Sequence, residues 1–253
     1  MLKKRIIPIE LLYGDRLLKS VNFGNFRDVG HPVKSSQVYS NQDADELIIL
    51  NIDRQNRSVF NLSAYVKQIS TECFVPLSVG GGISTVDDAR LMFDSGADKL
   101  VINSLLVHNP TIVRRIIDLY GSQSVVASVD FVRDSHDAIG IVSNCGTNPV
   151  YRLLEDYLVE LEHIGVGEIM LQSISRDGTM QGYDIEMLNS IRNKTNLPII
   201  IAGGAGDFVH LLDAFSSGAD AVACGSLFNF GDNNPLRAKA YLKNYDVPLK
   251  RIK

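Results

Sequence analysis

The chain has 253 residues, 45% hydrophobic and 21% charged, which is enough apolar material for one barrel-sized core or two small ones. A net charge of −4 without a basic cluster argues against a nucleic-acid surface, and no apolar run reaches the roughly 18–20 residues of a membrane span. Cys73, Cys145 and Cys224 are scattered without C-x-x-C spacing and the five histidines lack metal-ligand spacing, so no disulfide framework, no metal site and no cofactor is expected.

Residues 1–8 are basic and then apolar. A signal peptide needs a longer apolar region and a small-residue cleavage site, and Glu10 interrupts this one, so the segment reads as the first strand of a cytoplasmic protein. Strands are then predicted over 5–11, 46–51, 75–79, 99–103, 125–130, 168–171, 198–202 and 221–224. Most lack polar/apolar alternation, as parallel strands covered by helices do. Helical patterns lie between them at 85–95, 110–120, 154–164 and 185–194, and Gly96, Gly165 and Gly218 suit helix C-terminal caps. Strands each followed by helix, in a chain of this length, are the pattern of a (β/α)₈ barrel. The two longest connections, 13–32 and 131–149, follow strands at the carboxyl end, where barrel active sites sit.

Part of the sequence occurs twice. Residues 76–105, moved forward by 122, fall without a gap on 198–227: Pro76 on Pro198, Gly81-Gly82 on Gly203-Gly204, Ser95-Gly96-Ala97-Asp98 on Ser217-Gly218-Ala219-Asp220, and Ser104-Leu105 on Ser226-Leu227. The expectation is one barrel over 1–253 made of two fused half-barrels, about 1–122 and 123–253. An open doubly wound sheet is the alternative, but it would not naturally give two equivalent halves.

Each half carries a glycine pair after one strand and a small polar residue after the next: Gly81-Gly82 with Asn103-Ser104, and Gly203-Gly204 with Gly225-Ser226. Glycines let backbone N–H groups approach an anion, and a helix start favours negative charge. The plain alternative is a tight turn using glycine for positive φ. Two such turns across one barrel mouth point to a ligand with two phosphates. Asp130 ends the fifth strand, a catalytic position in barrels, although a helix cap or loop carboxylate would look the same. Arg176-Asp177-Gly178-Thr179 follows the sixth strand, and Lys19 lies in the first long connection. At the opposite ends, Arg5, Glu46, Lys99 and Glu168 each begin a strand. They form either a ring of ion pairs that plugs or gates the barrel, or, as spacing alone favours, a solvated rim.

These residues carry a family resemblance. Lys4-Arg5-Ile6-Ile7-Pro8, Val21-Asn22-Phe23, Ala44-Asp45-Glu46-Leu47, Val79-Gly80-Gly81-Gly82-Ile83, Gly96-Ala97-Asp98-Lys99, Arg176-Asp177-Gly178-Thr179, Gly182-Tyr183-Asp184 and Gly203-Gly204-Ala205-Gly206 resemble the cyclase subunit of imidazole glycerol phosphate synthase over essentially the whole chain. The resemblance implies a half-barrel-duplicated (β/α)₈ barrel with a glutaminase docked at its bottom as a heterodimer. Ammonia would pass through the barrel to a bisphosphorylated substrate at the top. By resemblance, Gly82, Asn103 and Ser104, beside Gly81, match one phosphate site. Asp177, Gly178, Gly203, Gly204, Gly225 and Ser226, with Thr179 beside them, match the other. Asp130 matches one of two catalytic aspartates. Arg5, Glu46, Lys99 and Glu168 match the gate of the ammonia tunnel, and Asp98 matches a docking residue.

The sequence also departs from that family. Where the first catalytic aspartate is expected stands Leu11, and Glu10 is the nearest carboxylate. Strand alternation places Glu10 on the face opposite Arg5, Ile7, Ile9 and Leu11. Losing a positioned acid or base typically costs about 10²–10⁴ in rate. Asn51, Gln172 and Ser175 also replace family residues. The kept tunnel with a changed acid–base pair resembles a paralogous branch of surface-polysaccharide pathways, in which ammonia is supplied to a sugar amidotransferase that makes an acetamidino group. The main expectation is therefore an ammonia-conducting subunit of that kind. The alternatives are a histidine-pathway cyclase using Glu10, Asp130 and Lys19, and a catalytically silent barrel that activates a glutaminase.

Overall fold

The computed structural model describes residues 3–134 and 136–250. Its strands are β1 (Arg5–Tyr13), β2 (Arg16–Val21), β3 (Gly24–Gly30), β4 (Leu47–Asn51), β5 (Leu77–Gly80), β6 (Lys99–Ile102), β7 (Val125–Arg133), β8 (Ile139–Ser143), β9 (Asn148–Val150), β10 (Glu168–Ser173), β11 (Ile199–Ala202) and β12 (Ala221–Cys224). The helices are α1 (Pro32–Asn41), α2 (Val59–Glu72), α3 (Val86–Asp94), α4 (Ser104–His108), α5 (Pro110–Tyr120), α6 (Leu154–Ile164), α7 (Ile185–Arg192), α8 (Phe208–Ser216), α9 (Ser226–Asn229) and α10 (Pro235–Lys243). Strands β1, β4, β5, β6, β7, β10, β11 and β12 pair in parallel, and β12 returns to β1. This closes a (β/α)₈ barrel, with no sheet edge left open in the ring.

Closure sorts each strand by its period of two. Along β1, Ile7, Ile9 and Leu11 join the apolar cluster inside the barrel, while Ile6 and Leu12 join the larger cluster between strands and helices. Both faces are dry, which is why the predicted strands read as unbroken apolar runs. A buried Ile, Val or Leu contributes about 1.5–3 kcal/mol, so a polar residue inside either layer needs its own partner.

Local chemistry sets the helix ends. Thr85 caps α3 by accepting from the Asp88 N–H at 3.0 Å, and Asp88 accepts in return from the Thr85 N–H at 2.8 Å. Gly96, Gly165 and Gly218 have φ of +105°, +91° and +96°, and each directly follows a helix or its last capping residue. The final helix α10 is pinned to the amino end of the barrel by Lys239, 1% exposed, whose Nζ donates to Asp43 at 3.0 Å and Asp45 at 2.8 Å.

The two long connections are both antiparallel ribbons. Strand β1 runs on to Tyr13 and turns into β2 and β3, and β7 runs on to Arg133 and turns into β8 and β9. Asn22 and Phe23 both have positive φ, +52° and +58°, at the turn between β2 and β3. That geometry ordinarily announces itself as Asn-Gly; a phenylalanine there hides the hairpin. Helix α1 carries no clear apolar stripe in sequence, since only Pro32, Ser36 and Tyr39 of its residues are buried.

Candidate functional site

At the amino end of the barrel the four charged strand starts converge. Arg5 reaches Glu46 at 2.8 Å and Glu168 at 2.7 Å, and Lys99 reaches the same two carboxylates at 3.0 and 3.2 Å. Ser78 adds a hydroxyl donated to Glu46 at 2.5 Å. Burial pulls the Arg5 pKa down, but Glu168 and Glu46 outweigh it and leave it raised. The spacing had favoured a solvated rim; the side chains are instead 2–18% exposed and satisfied by one another. Inside them lies the apolar layer of Ile7, Ile48, Val126, Met170 and Ile200.

Asp98 sits at the same end, exposed, and accepts the Leu77 N–H at 2.8 Å. Its counterpart in the repeat, Asp220, accepts the Ile199 N–H at 3.0 Å and is also ion-paired to Lys4 and Arg192.

At the carboxyl end a cavity of about 540 Å³ opens. Gly81, Gly82, Asn103 and Ser104 line one side, and Asp177, Gly178, Gly203, Gly204, Gly225 and Ser226 line the other. The two glycine pairs share one backbone shape. Gly81 and Gly82 have φ of +92° and +87°, and Gly203 and Gly204 have +87° and +114°. A Cβ on Gly81 or Gly203 would fall 2.1 Å from the Asn51 carbonyl oxygen or 2.4 Å from that of Ser173. Both conformation and room therefore require glycine there. The Ser226 hydroxyl is buried with no partner, whereas Ser104 Oγ accepts the Asn144 N–H at 3.1 Å. Thr179 is a correction: it does not line the cavity, because its hydroxyl closes its own turn on the Arg176 carbonyl at 2.8 Å.

The titratable groups of the mouth differ in kind. Asp130 lines the cavity on β7, and burial pushes its pKa up to about 6, against a Ser128 hydroxyl donated at 2.6 Å and with a smaller push from Asp177. Asp177 is held by Lys19 at 2.9 Å and by the Ser20 hydroxyl at 2.7 Å. Lys19 is thus buried at 5% exposure, not solvated, because the ribbon β2–β3 carries it over the mouth. Leu11 lines the cavity beside Ile9.

Glu10 does not reach the cavity, which corrects its candidacy as a catalytic carboxylate. It faces the helix layer with Ile6 and Leu12, and no bulge on β1 re-aims it. Its Oε2 accepts the Ser36 hydroxyl at 2.5 Å, its Oε1 has no partner, and burial pushes its pKa up to about 8.

Several further residues serve the two ends. Ser128 lies two positions before Asp130 and so on the same strand face, which alternation could have told. Ser20 and Ser78 carry no such signal, since their roles depend on which strands become neighbours. Among the described residues no group of His, Cys, Asp and Glu could hold a metal ion, and no helix is long and apolar enough to cross a membrane.

The sequence pattern of the histidine biosynthesis protein family matches residues 6–234. The chain is 38% identical over 251 residues to the imidazole glycerol phosphate synthase subunit HisF of Chlorobium limicola, covering 99% of this chain and 100% of that one. It is 38% identical over 252 residues to the subunit of the same name from Alkaliphilus metalliredigens, covering 99% and 100%. With that of Thermotoga sp. (strain RQ2) it shares 39% over 250 residues, covering 99% and 98%.

Proposed function

The chain belongs to the histidine biosynthesis protein family, with imidazole glycerol phosphate synthase HisF subunits among its relatives, and from this we propose that it is a HisF-like subunit that conducts ammonia. A glutaminase would dock at the amino end of the barrel, beside Asp98, and the ammonia would serve acetamidino modification of a surface-polysaccharide sugar by a sugar amidotransferase. The observation that carries the proposal is the pairing of a closed ion-pair ring below with Leu11 in the cavity above. The ring of Arg5, Glu46, Lys99 and Glu168 closes one end of an apolar interior. Neutral ammonia can cross such an interior, whereas an ammonium ion would lose its hydration without gaining a partner. Opening the ring by one ion pair is the step that admits it.

At the other end the two glycine turns and the unpartnered Ser226 hydroxyl suit two phosphate groups of one small molecule. Ring closure by two acids is not supported by this cavity. Leu11 cannot transfer a proton, and Glu10 lies outside the site. A second reading, a histidine-pathway cyclase working with Asp130 alone, is favoured by one observation. A carboxyl with a pKa near 6 is poised to exchange protons at neutral pH.

The deciding experiment pairs the chain with its glutaminase and supplies glutamine and the histidine-pathway substrate. The conduit reading expects glutamine hydrolysis to be stimulated while cyclase turnover stays about 10²–10⁴-fold below a HisF with both acids. Robust turnover would make the cyclase reading the function.

A further inference from the structure

Three side chains of the cavity take no part in the two phosphate positions. Asn51 ends β4, and Arg54 and Arg57 lie in the loop from β4 to α2; all three line the cavity. Asn51 is 3% exposed. Its Oδ1 accepts the Asp53 N–H at 3.1 Å, while its buried Nδ2 donates to nothing. The Arg57 Nε is also buried without a partner, and its Nη2 reaches only Cys145 Sγ at 3.2 Å, a weak acceptor. Arg54 donates to the Cys145 carbonyl at 3.0 Å. The loop's own carboxylate, Asp53, is turned to the N–H groups of Gln55 and Asn56 at 2.9 and 3.0 Å, and neither guanidinium has a carboxylate partner among the described residues.

Buried donors without acceptors are costly, so the two carried by Asn51 and Arg57, both lining one cavity, mark a place for acceptors. Two fixed positive charges make it a place for an anion, and a guanidinium grips phosphate through paired N–H···O bonds. The loop also packs on the first glycine turn. A Cβ on Gly81 would fall 2.1 Å from the Asn51 carbonyl oxygen, and one on Gly82 would fall 2.5 Å from that of Arg57. Its donors therefore adjoin those of Gly82, Asn103 and Ser104. On the opposite wall the Ser226 hydroxyl is also unpartnered, but Asp177 already neutralises the Lys19 cation.

We propose that Asn51, Arg54 and Arg57 form a second anion position beside the first phosphate position, so that this wall takes a diphosphate rather than a single phosphate. The ligand class is a small molecule with a diphosphate at the first wall and a further phosphate at the second. The inference rests on the reading of the first glycine turn as a phosphate site.

The test titrates the full chain with inorganic phosphate and with inorganic pyrophosphate at fixed ionic strength, by calorimetry. The expected result is pyrophosphate binding at least about tenfold tighter than phosphate. The double variant Arg54→Met/Arg57→Met should lose that preference while keeping its phosphate affinity and its melting temperature. Pyrophosphate should also slow alkylation of Cys145 in the original chain and not in the double variant; Cys73 and Cys224 are buried and do not compete. Equal affinity for the two anions, or a double variant that still prefers pyrophosphate, would overturn the inference and leave the glycine-turn reading standing. Arginine-dependent pyrophosphate binding with no phosphate binding at all would instead overturn the glycine-turn reading.

Discussion

The two ends of the barrel handle charge in opposite ways. At the amino end two bases meet two acids, each base touching both acids, and the circuit is complete within the chain. At the carboxyl end, of the charged groups lining the cavity only Lys19 and Asp177 form an ion pair; among the described residues Asp130 has a hydroxyl for company but no cation, and Arg54 and Arg57 have no acid. Charge satisfied internally holds a position and resists change. Charge left open waits for something from outside. The difference is the one expected between a closure and a receptor within one barrel, and each end can be attacked separately.

The largest effect is expected at the open end. Asp130→Asn should lower any residual cyclase turnover by a further ~10²–10⁴-fold and abolish the limb of the pH–rate profile near pH 6. An unchanged profile would remove proton transfer from that face. At the closed end, Glu46→Ala leaves Arg5 and Lys99 sharing one carboxylate, and a broken buried pair costs about 3–5 kcal/mol. Urea denaturation would read it, and a loss below about 1 kcal/mol would mean that water already reaches the ring.

Glu10 belongs to neither end, and its variant sharpens the comparison. The unfolded chain ionises Glu10 near pH 4.5, while the folded chain keeps the proton until about pH 8. Folded protein binds the extra proton in between, so stability is full below pH 4.5 and falls as pH rises towards 8, by at most about 1.4 kcal/mol per unit. Glu10→Gln should flatten that fall between pH 6 and 8 and leave turnover unchanged. Abolished turnover would restore Glu10 to the site. The smallest effect is expected for Asp98→Ala. It forfeits one backbone hydrogen bond, about 0.5–1.5 kcal/mol, and should weaken glutaminase binding in a pull-down titration. Full affinity would move docking elsewhere.

The barrel was legible because its strands are covered on both faces and because the 122-residue offset repeats chemistry as well as letters. Gly81 and Gly203 share positive φ, and Asp98 and Asp220 each accept the N–H of equivalent residues, Leu77 and Ile199. The outward face of Glu10 followed from counting twos along β1. The burial of Lys19 did not, since it depends on a hairpin whose turn is Asn22-Phe23 rather than Asn-Gly. Convergence of Arg5, Glu46, Lys99 and Glu168 was visible only as one of two options, because spacing along a strand fixes its face but not how far a long side chain reaches inward. Arg54 and Arg57 offered no periodic signal. They lie in a loop, and only the packing of that loop on Gly81 and Gly82 brings them to the cavity.

The bond from Lys19 to Asp177 joins residues 158 apart in sequence, across the mouth from the ribbon after the first barrel strand to the turn after the sixth. Such a contact needs the intervening strands to have found their order, so it belongs to a late stage of barrel assembly rather than to its beginning. The mouth is therefore expected to assemble late in folding. Weakening this pair should speed unfolding and leave the folding rate nearly untouched, making the pair a latch on the lifetime of the native state.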